Sequence, residues 1–462
     1  MNKTSIDRLR DYLAQLPQPS QMLLLREYER AIERGEDVKV AHFVLDILRG
    51  VMRGHEDAVR PRVEDPSRLV FKSLEPFLVD GVAAVRPGQI RRPSLLPVWQ
   101  WLERDAAEAV GEFESAIAEA SDNAAGIERA VKKFQQAAAA AIAHVLSGNG
   151  GGRASRIGPT HAVEDLPAIG AALKAREQLD AFAGKLPGVL RSFGEAQISS
   201  VNNALNALNV PTLTTPQVLP FAFSLIMQRL AAPWQIIRLA VKIAASDDEI
   251  RVAATPYGVA VTMALADLTT VAANLRADIR RGQLDSAPEL LKIAHDGVRG
   301  LRTELDMRND STWGRQMAAI RVEISSTLQS EIESVPGRVR RLLRQRPDKD
   351  IAPTATIDPS EVEEVVAMIN FVAVCRNFAS ELAINEVTLR TYSDLQQYVE
   401  KSTEALVQSL RAGDVRVRNY RQMQAKTAIR FCHVLFGQEY AALMTRAAEQ
   451  ALVVVDKPKK AG

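Results

Sequence analysis

The segment LPFAFSLIMQRLAAPWQIIRLAVKIAA, residues 219–245, is the most apolar stretch of the chain, and it must either meet lipid or fill the middle of a protein. The polar residues of this segment and its lead-in are Gln217, Ser224, Gln228, Gln235, Arg238 and Lys242. Spacings of seven, four, seven, three and four stack them into one narrow stripe on a helix, with Arg229 at its edge. A spanning helix needs about 20 predominantly apolar residues, and a central arginine costs about 2.5–3.5 kcal/mol on insertion. The strongly apolar run ahead of the first charge covers only 218–228. An interfacial helix would need a strongly charged face, which this one lacks. A central bundle helix carries no such penalty, so the segment reads as a buried inner helix. Pro220 falls in its first turn, and Pro233 should kink it. The next segment, YGVAVTMALADLTTVAANL, is similarly apolar apart from Asp267 and reads as the second arm of an inner hairpin.

Elsewhere apolar residues recur at three and four, and period-two alternation is scarce. The expected fold class is all-α: an elongated multi-helix bundle with long antiparallel coiled-coil-like helices in its C-terminal half. A chain of 462 residues exceeds what one core serves. The expected division is a small helical unit at 1–60, a Pro-rich connector at 61–93 and a helical hairpin at 94–147. A Gly-rich linker at 148–165, a central bundle at 166–346, a linker at 347–358 and a long hairpin at 359–453 complete it. The N-terminal MNKTSIDRLRDYLAQL has no apolar core of the signal-peptide kind and reads as a helix at about 4–16, capped by Thr4 with Asp7 at N3. Helices are further expected at about 19–34, 37–53 and 67–79, then from Ser94 to about 121 and from 124 to 147. Central ones should cover about 166–183, 187–209, 216–245, 257–281, 287–306 and 312–335.

The C-terminal hairpin is the most sharply drawn expectation. Asp358 as N-cap, Pro359 at N1 and Glu361 at N3 start a helix. No Gly or Pro follows between Ser360 and Ala412, so one helix is expected over 359–411. Its seam steps by three and four from Met368 through Phe371, Cys375, Phe378 and Leu382, and onward through Leu389 to Val399, Leu406 and Leu410. Asn385, Gln396 and Thr403 form polar layers that can set register. Gly413 and Asp414 then suit a reversal into a second helix over 414–452. That helix should offer Val417, Tyr420, Phe431, Val434, Leu435 and Leu443 to the seam. A stripe of Trp313, Met317, Ile320, Ile324 and Leu328 supplies further packing.

Several chemistries lack their residues. None of the six histidines (His42, His55, His144, His161, His295, His433) has another three to five residues away, and none follows a Glu by three. Helical zinc pairs and the di-iron Glu-x-x-His pattern are therefore missing. His42 with Asp46 reads as an ordinary i,i+4 pair. Two isolated cysteines, Cys375 and Cys432, make neither a disulfide framework nor a zinc site, and Cys375 on the seam should be inert. GNGGGR at 148–153 lacks the ending and the preceding strand of a phosphate loop. Gly-x-Ser-x-Gly and Ser-x-x-Lys do not occur. Acids in SDDE (246–249) and EVEE (361–364) sit at helix starts, where the macrodipole favours them. No catalytic residue, metal or cofactor is implied.

One basic cluster stands out. VPGRVRRLLRQRP (335–347) holds Arg338, Arg340, Arg341, Arg344 and Arg346 with no acid between Glu333 and Asp348. A helix C-terminus favours such cations; the sharper reading is a small anion site for acidic lipid head groups, nucleic-acid phosphate or an acidic partner. A formal net charge of +2 and a pI near 8.5 give no footprint of a nucleic-acid binder, so specific nucleic-acid binding is not expected. An excess of Arg over Lys with abundant Ala suggests a bacterial source of high GC content. The functional expectation is a non-enzymatic cytoplasmic scaffold that binds protein partners, with homo-oligomerisation open. The alternative is a peripheral protein at the inner membrane, touching anionic lipid through 219–245 and the 338–346 arginines.

Overall fold

The computed structural model describes residues 12–13, 16, 18–33, 44–45, 48, 65–81, 85–120, 123–147, 157–207, 211–284, 286–412 and 415–455. Among these residues it is an all-α, multi-helix bundle with 18 α-helices and almost no strand. The His42–Asp46 pair, the glycines of 148–153 and the reversal at Gly413–Asp414 lie outside the described residues, as do most of the expected helices at 4–16 and 37–53.

Helix α1 is Gln18–Glu33 and α2 is Pro66–Phe71, followed by two-residue strands β1 (Leu78–Val79) and β2 (Ile90–Arg91). Next come α3 (Leu95–Asp105), α4 (Ala107–Ala120), α5 (Ala124–Leu146), α6 (Thr160–Lys174), α7 (Arg176–Lys185) and α8 (Glu195–Asn206). Then follow α9 (Leu219–Met227), α10 (Ile237–Ala244), α11 (Glu249–Ala253), α12 (Val259–Arg280) and α13 (Ala287–Glu304). The last five are α14 (Thr312–Leu343), α15 (Pro359–Phe378), α16 (Asn385–Ala412), α17 (Arg418–Phe436) and α18 (Gln438–Val455).

The chain divides into two units, residues 1–73 with 99–137 and residues 74–98 with 138–462. In the first, Leu13, Val44 and Leu48 form a small core against Leu16, Leu24 and Tyr28. A second nucleus is aromatic: Trp99 meets Phe71 and Phe134 edge-on, and Phe134 stacks on Phe113 with ring centroids 4.7 Å apart. Asp65 caps α2, its carboxylate accepting from the Ser67 N–H at 3.0 Å ahead of Pro66.

In the second unit, every residue of α9 is buried. The apolar segment is nevertheless not one kinked helix. Ala232, which precedes Pro233, is extended (φ −129°, ψ 98°), because proline disfavours helical backbone in the residue before it. The helix therefore ends at Met227, and Arg229 and Ala231 bond across to Leu190 before the chain re-enters a 3₁₀ turn and α10. The polar stripe is partly covered: Ser224 is buried, Gln235 and Arg238 are half-buried, and Gln217, Gln228 and Lys242 are exposed. Ser224 donates to the Gly88 carbonyl (2.9 Å), Arg238 pairs with Glu304 and Lys242 with Glu195 (3.0 Å). Gly88 permits this approach: its φ is +77°, and a Cβ there would lie 2.2 Å from the Pro220 carbonyl oxygen.

Helix α14 runs further than expected, straight through Pro336 and Gly337. Its buried stripe continues without a slip from Met317 and Ile320 to Val335, Val339 and Leu342. Burying each such side chain contributes about 1.5–3 kcal/mol, which offsets the roughly 3 kcal/mol of an internal proline. Helix α15 packs antiparallel to α14, pairing Glu364 with Arg338 and Glu361 with Arg341.

The expected 359–411 helix is two helices. Between α15 and α16 the Ile384 N–H bonds the Ala379 carbonyl (3.1 Å) around Ala383, whose φ is +57°. This is the six-to-one closure of a Schellman motif, with alanine in the place glycine usually takes. The turn buries Ala379, Leu382 and Ile384 together. It also re-phases the seam: Thr388, Thr391 and Leu395 face inward, and Leu389 is 58% exposed. From Val399 to Leu410 the expected positions are buried again. The returning helix is likewise divided, at Gly437 (φ +89°), into α17 and α18. Val417, Phe431 and Leu435 are buried, whereas Leu443, on α18, is 56% exposed. Cys375 is fully buried, and burial pushes its thiol up to about 12.

The exposed Leu389 and buried Val399 give a direct check. Leu389→Asp is expected to change stability by no more than about 0.5 kcal/mol, and Val399→Asp to cost several kcal/mol by burying an unpaired charge. Urea melts that ranked Leu389→Asp as the more damaging would place the seam where an uninterrupted helix puts it.

Candidate functional site

The arginine cluster is split by its surroundings. Arg338 and Arg341 are engaged by Glu364 and Glu361 on α15. The run without acids in sequence is thus answered by acids on an antiparallel neighbour. The Arg340 guanidinium lies over the Tyr398 ring of α16 at 5.7 Å. Arg344 and Arg346 follow the end of α14 with exposed side chains. Their backbone is fixed from below: buried Gln424 donates to the carbonyls of Leu342 (3.1 Å) and Arg344 (2.9 Å). Buried Arg421 donates to the Arg346 carbonyl and pairs with Asp348 at 2.8 Å. The five arginines therefore do not form one site.

Arg338 also borders a pocket of about 790 Å³ between α12, α14 and α15. Three more guanidinium groups line it, Arg276 and Arg280 at the end of α12 and Arg281 just beyond. Arg276 is held by Glu323, and Arg281 by Asp278 at 2.7 Å. Neither of those acids lines the pocket, whereas Glu331 and Glu364 do. Ser326 and Thr327 donate to the Glu323 carbonyl and present only acceptor capacity, while Ser330 adds a further hydroxyl. Ile279, Leu284 and Met368 provide an apolar wall. Burial raises the Glu331 carboxyl above the usual glutamate range; Arg338 opposes that shift and Glu364 adds to it. Sequence reasoning missed this pocket because its arginines come from separate segments. The one local signal was RADIRR (276–281), three arginines within two turns at a helix end.

Two buried charge clusters have structural partners throughout. Arg91 donates to Asp165 from both its backbone N–H (3.0 Å) and its guanidinium (3.1 Å), and the Ser94 hydroxyl adds a third bond at 2.7 Å. Asp165 belongs to α6, which begins at Thr160, ahead of the expected start at 166. Arg86 lies 2.6 Å from Asp267 and donates to Ser224 at 3.0 Å. Burial raises the Asp267 carboxyl, with Arg86 opposing. A pocket of about 440 Å³ near Trp313 has its charges paired internally: Arg308 with Asp310 (2.9 Å), and Glu249 with the Arg308 N–H (2.8 Å). Among the described residues no three His, Cys, Asp or Glu side chains come together in a way that could hold a metal ion.

The raised Glu331 carboxyl has a pH consequence. Its stability contribution is fully present below the ordinary glutamate value of 4.5 and is lost as pH rises through the higher folded value. Glu331→Gln removes that loss. The variant is expected to be more stable than the parent at pH 7, with the difference narrowing as the pH falls towards 4.5. Denaturation midpoints at a series of pH values check this; a variant less stable at neutral pH contradicts it.

No protein-family model matches this sequence, and neither a curated protein nor a solved structure matches it.

Proposed function

We propose that the protein is a non-enzymatic helical scaffold that binds acidic protein partners through the arginine-bearing end of α14. The observation that carries this reading is the fixed backbone beneath Arg344 and Arg346, anchored by buried Gln424 and Arg421. A backbone already ordered beneath the guanidinium groups needs no further ordering on binding, so only side-chain rotamer freedom is lost, and the planar forks match carboxylates bidentately. Exposed charges of this kind steer partners and fix their orientation. The buried thiols of Cys375 and Cys432 and the internally satisfied Asp165 fit a chain whose polar interior serves packing.

Contact with an anionic membrane is the second reading, and the same exposed arginines favour it, at about 1 kcal/mol each near such a surface. The α9 part of the apolar segment offers no lipid-facing side, being buried throughout. The helical span Pro256–Arg280 is long and apolar enough to cross a membrane by length and composition, and half of that window is buried inside the protein.

Affinity capture from lysate followed by mass spectrometry, with the parent and the Arg344→Glu/Arg346→Glu variant, tests the proposal. Partners retained by the parent are expected to be absent from the variant and to be released as salt shortens the screening length from about 10 Å at 0.1 M to about 3 Å at 1 M. The melting temperature should be unchanged, since both side chains are exposed. Equal capture by both chains contradicts the proposal, and co-sedimentation of the parent alone with phosphatidylserine vesicles would favour the membrane reading.

A further inference from the structure

We propose that the acidic partner of the Arg344–Arg346 surface is a second copy of this chain, which docks the exposed carboxylates of its α4 there. The inference rests on the partner reading above and names the partner. The surface is wider than two arginines. Helices α16 and α17 run antiparallel, with Tyr392 against Leu435 and Thr403 against Cys432, so Arg421 lies level with the C-terminal end of α16. Arg421 also holds the Arg346 carbonyl and Asp348, which puts Arg411 at the same end as the 344–349 segment. Arg344, Arg346, Lys349 and Arg411 are all exposed, and none has an ion pair among the described residues. Asp348 is answered by buried Arg421, so within 344–350 only Asp350 opposes these cations. An excess of three positive charges is left.

Charge and pattern select the occupant. Asp105, Glu108, Glu112 and Glu119 follow one another by three, four and seven, which lines them along one face of the run from α3 into α4. The backbone ladder continues across that junction, the Ala106 N–H reaching the Leu102 carbonyl (2.9 Å) and the Val110 N–H the Ala106 carbonyl (3.1 Å). Glu112 is answered by Lys133 at 2.9 Å, and Arg104 beside this face already has a partner. Asp105, Glu108 and Glu119 are exposed with no ion pair among the described residues. Three unanswered carboxylates therefore match the excess of three positive charges. At about 1.5 Å per residue they extend over about 21 Å, a ridge that suits a surface built from two chain segments. The two surfaces are different patches of one chain, so the contact is head-to-tail and leaves one of each open for a further copy. Exposed ion pairs are individually weak, which makes the association reversible and sensitive to salt.

Sedimentation velocity of the full chain over a concentration series tests the proposal. At low salt the weight-average mass is expected to rise above 50.7 kDa with concentration, and to return to it at about 1 M salt, where the screening length is about 3 Å. Arg344→Glu/Arg346→Glu and, separately, Asp105→Lys/Glu108→Lys/Glu119→Lys should each stay monomeric. All of these positions are exposed, so both variants should fold as the parent does. Combining the two sets in one chain makes the surfaces opposite in charge again and should restore the rise in mass. A parent that stays monomeric at every concentration overturns the proposal. If Arg344→Glu/Arg346→Glu still loses partners captured by that monomeric parent, the partner reading stands and only the second copy is refuted; if capture is unaffected as well, both fall. Association untouched by either set, or not restored by combining them, overturns the contact with α4.

Discussion

A left-handed alanine costs about 1–2 kcal/mol, and the chain adopts one at Ala383 because of what the turn around it buries. Ala379, Leu382 and Ile384 all enter the core there, which a continuing helix would not allow for residues so placed. Neighbouring helices hold the turn from outside: Arg321 of α14 donates to the Glu381 carbonyl (3.2 Å), and Arg302 of α13 pairs with the Glu381 side chain (3.0 Å). The direction of α16 follows from this point, and with it the place of α17 and α18. Tyr392 then donates to the Leu435 carbonyl (3.1 Å), and Thr403 meets Cys432 at 3.2 Å. A second left-handed alanine, Ala245, closes α10 in the same manner, with the Ser246 N–H reaching back to the Val241 carbonyl at 3.3 Å.

Polar residues on otherwise apolar helices serve as register marks. Ser224 sits on a wholly buried helix and binds the Gly88 carbonyl and Arg86. Asp267 interrupts the apolar run of α12 where Arg86 arrives. Asp165 gathers the backbone and side chain of Arg91 with Ser94, so the β2 segment can sit on α6 in one way only. Removing one member of such a group leaves a buried charge uncompensated, which costs more than the intact pair contributes.

Most helices were legible in the sequence because periodicity reports one buried face regardless of the neighbour. The stripe from Met317 to Leu328 and the Asp358–Pro359 start are where the pattern puts them. What escaped were breaks without punctuation. Ala175 and the 379–384 turn contain neither glycine nor proline, so only tertiary packing marks them; at 228–232 Pro233 signalled a kink, and the chain breaks there instead. Gly437 does stand in the sequence as a breaker, and the helix expected over 414–452 ran across it. A single left-handed residue then shifts a seam by enough to expose Leu389. The arginine cluster was legible as composition, yet its partners Glu361 and Glu364 become neighbours only once α14 and α15 lie antiparallel. The pocket was still less legible, since three helices contribute to it.

The division of the long C-terminal helix at Ala383 is tested most directly by one substitution, Ala383→Gly, measured in urea. Glycine adopts a positive φ freely, so at a left-handed position the variant should be as stable as the parent or gain up to about 1 kcal/mol after the entropy of the unfolded chain is counted. In an uninterrupted helix the same change would cost about 0.5–1 kcal/mol. A variant more stable than the parent agrees with a turn at Ala383; one destabilised by that amount contradicts it.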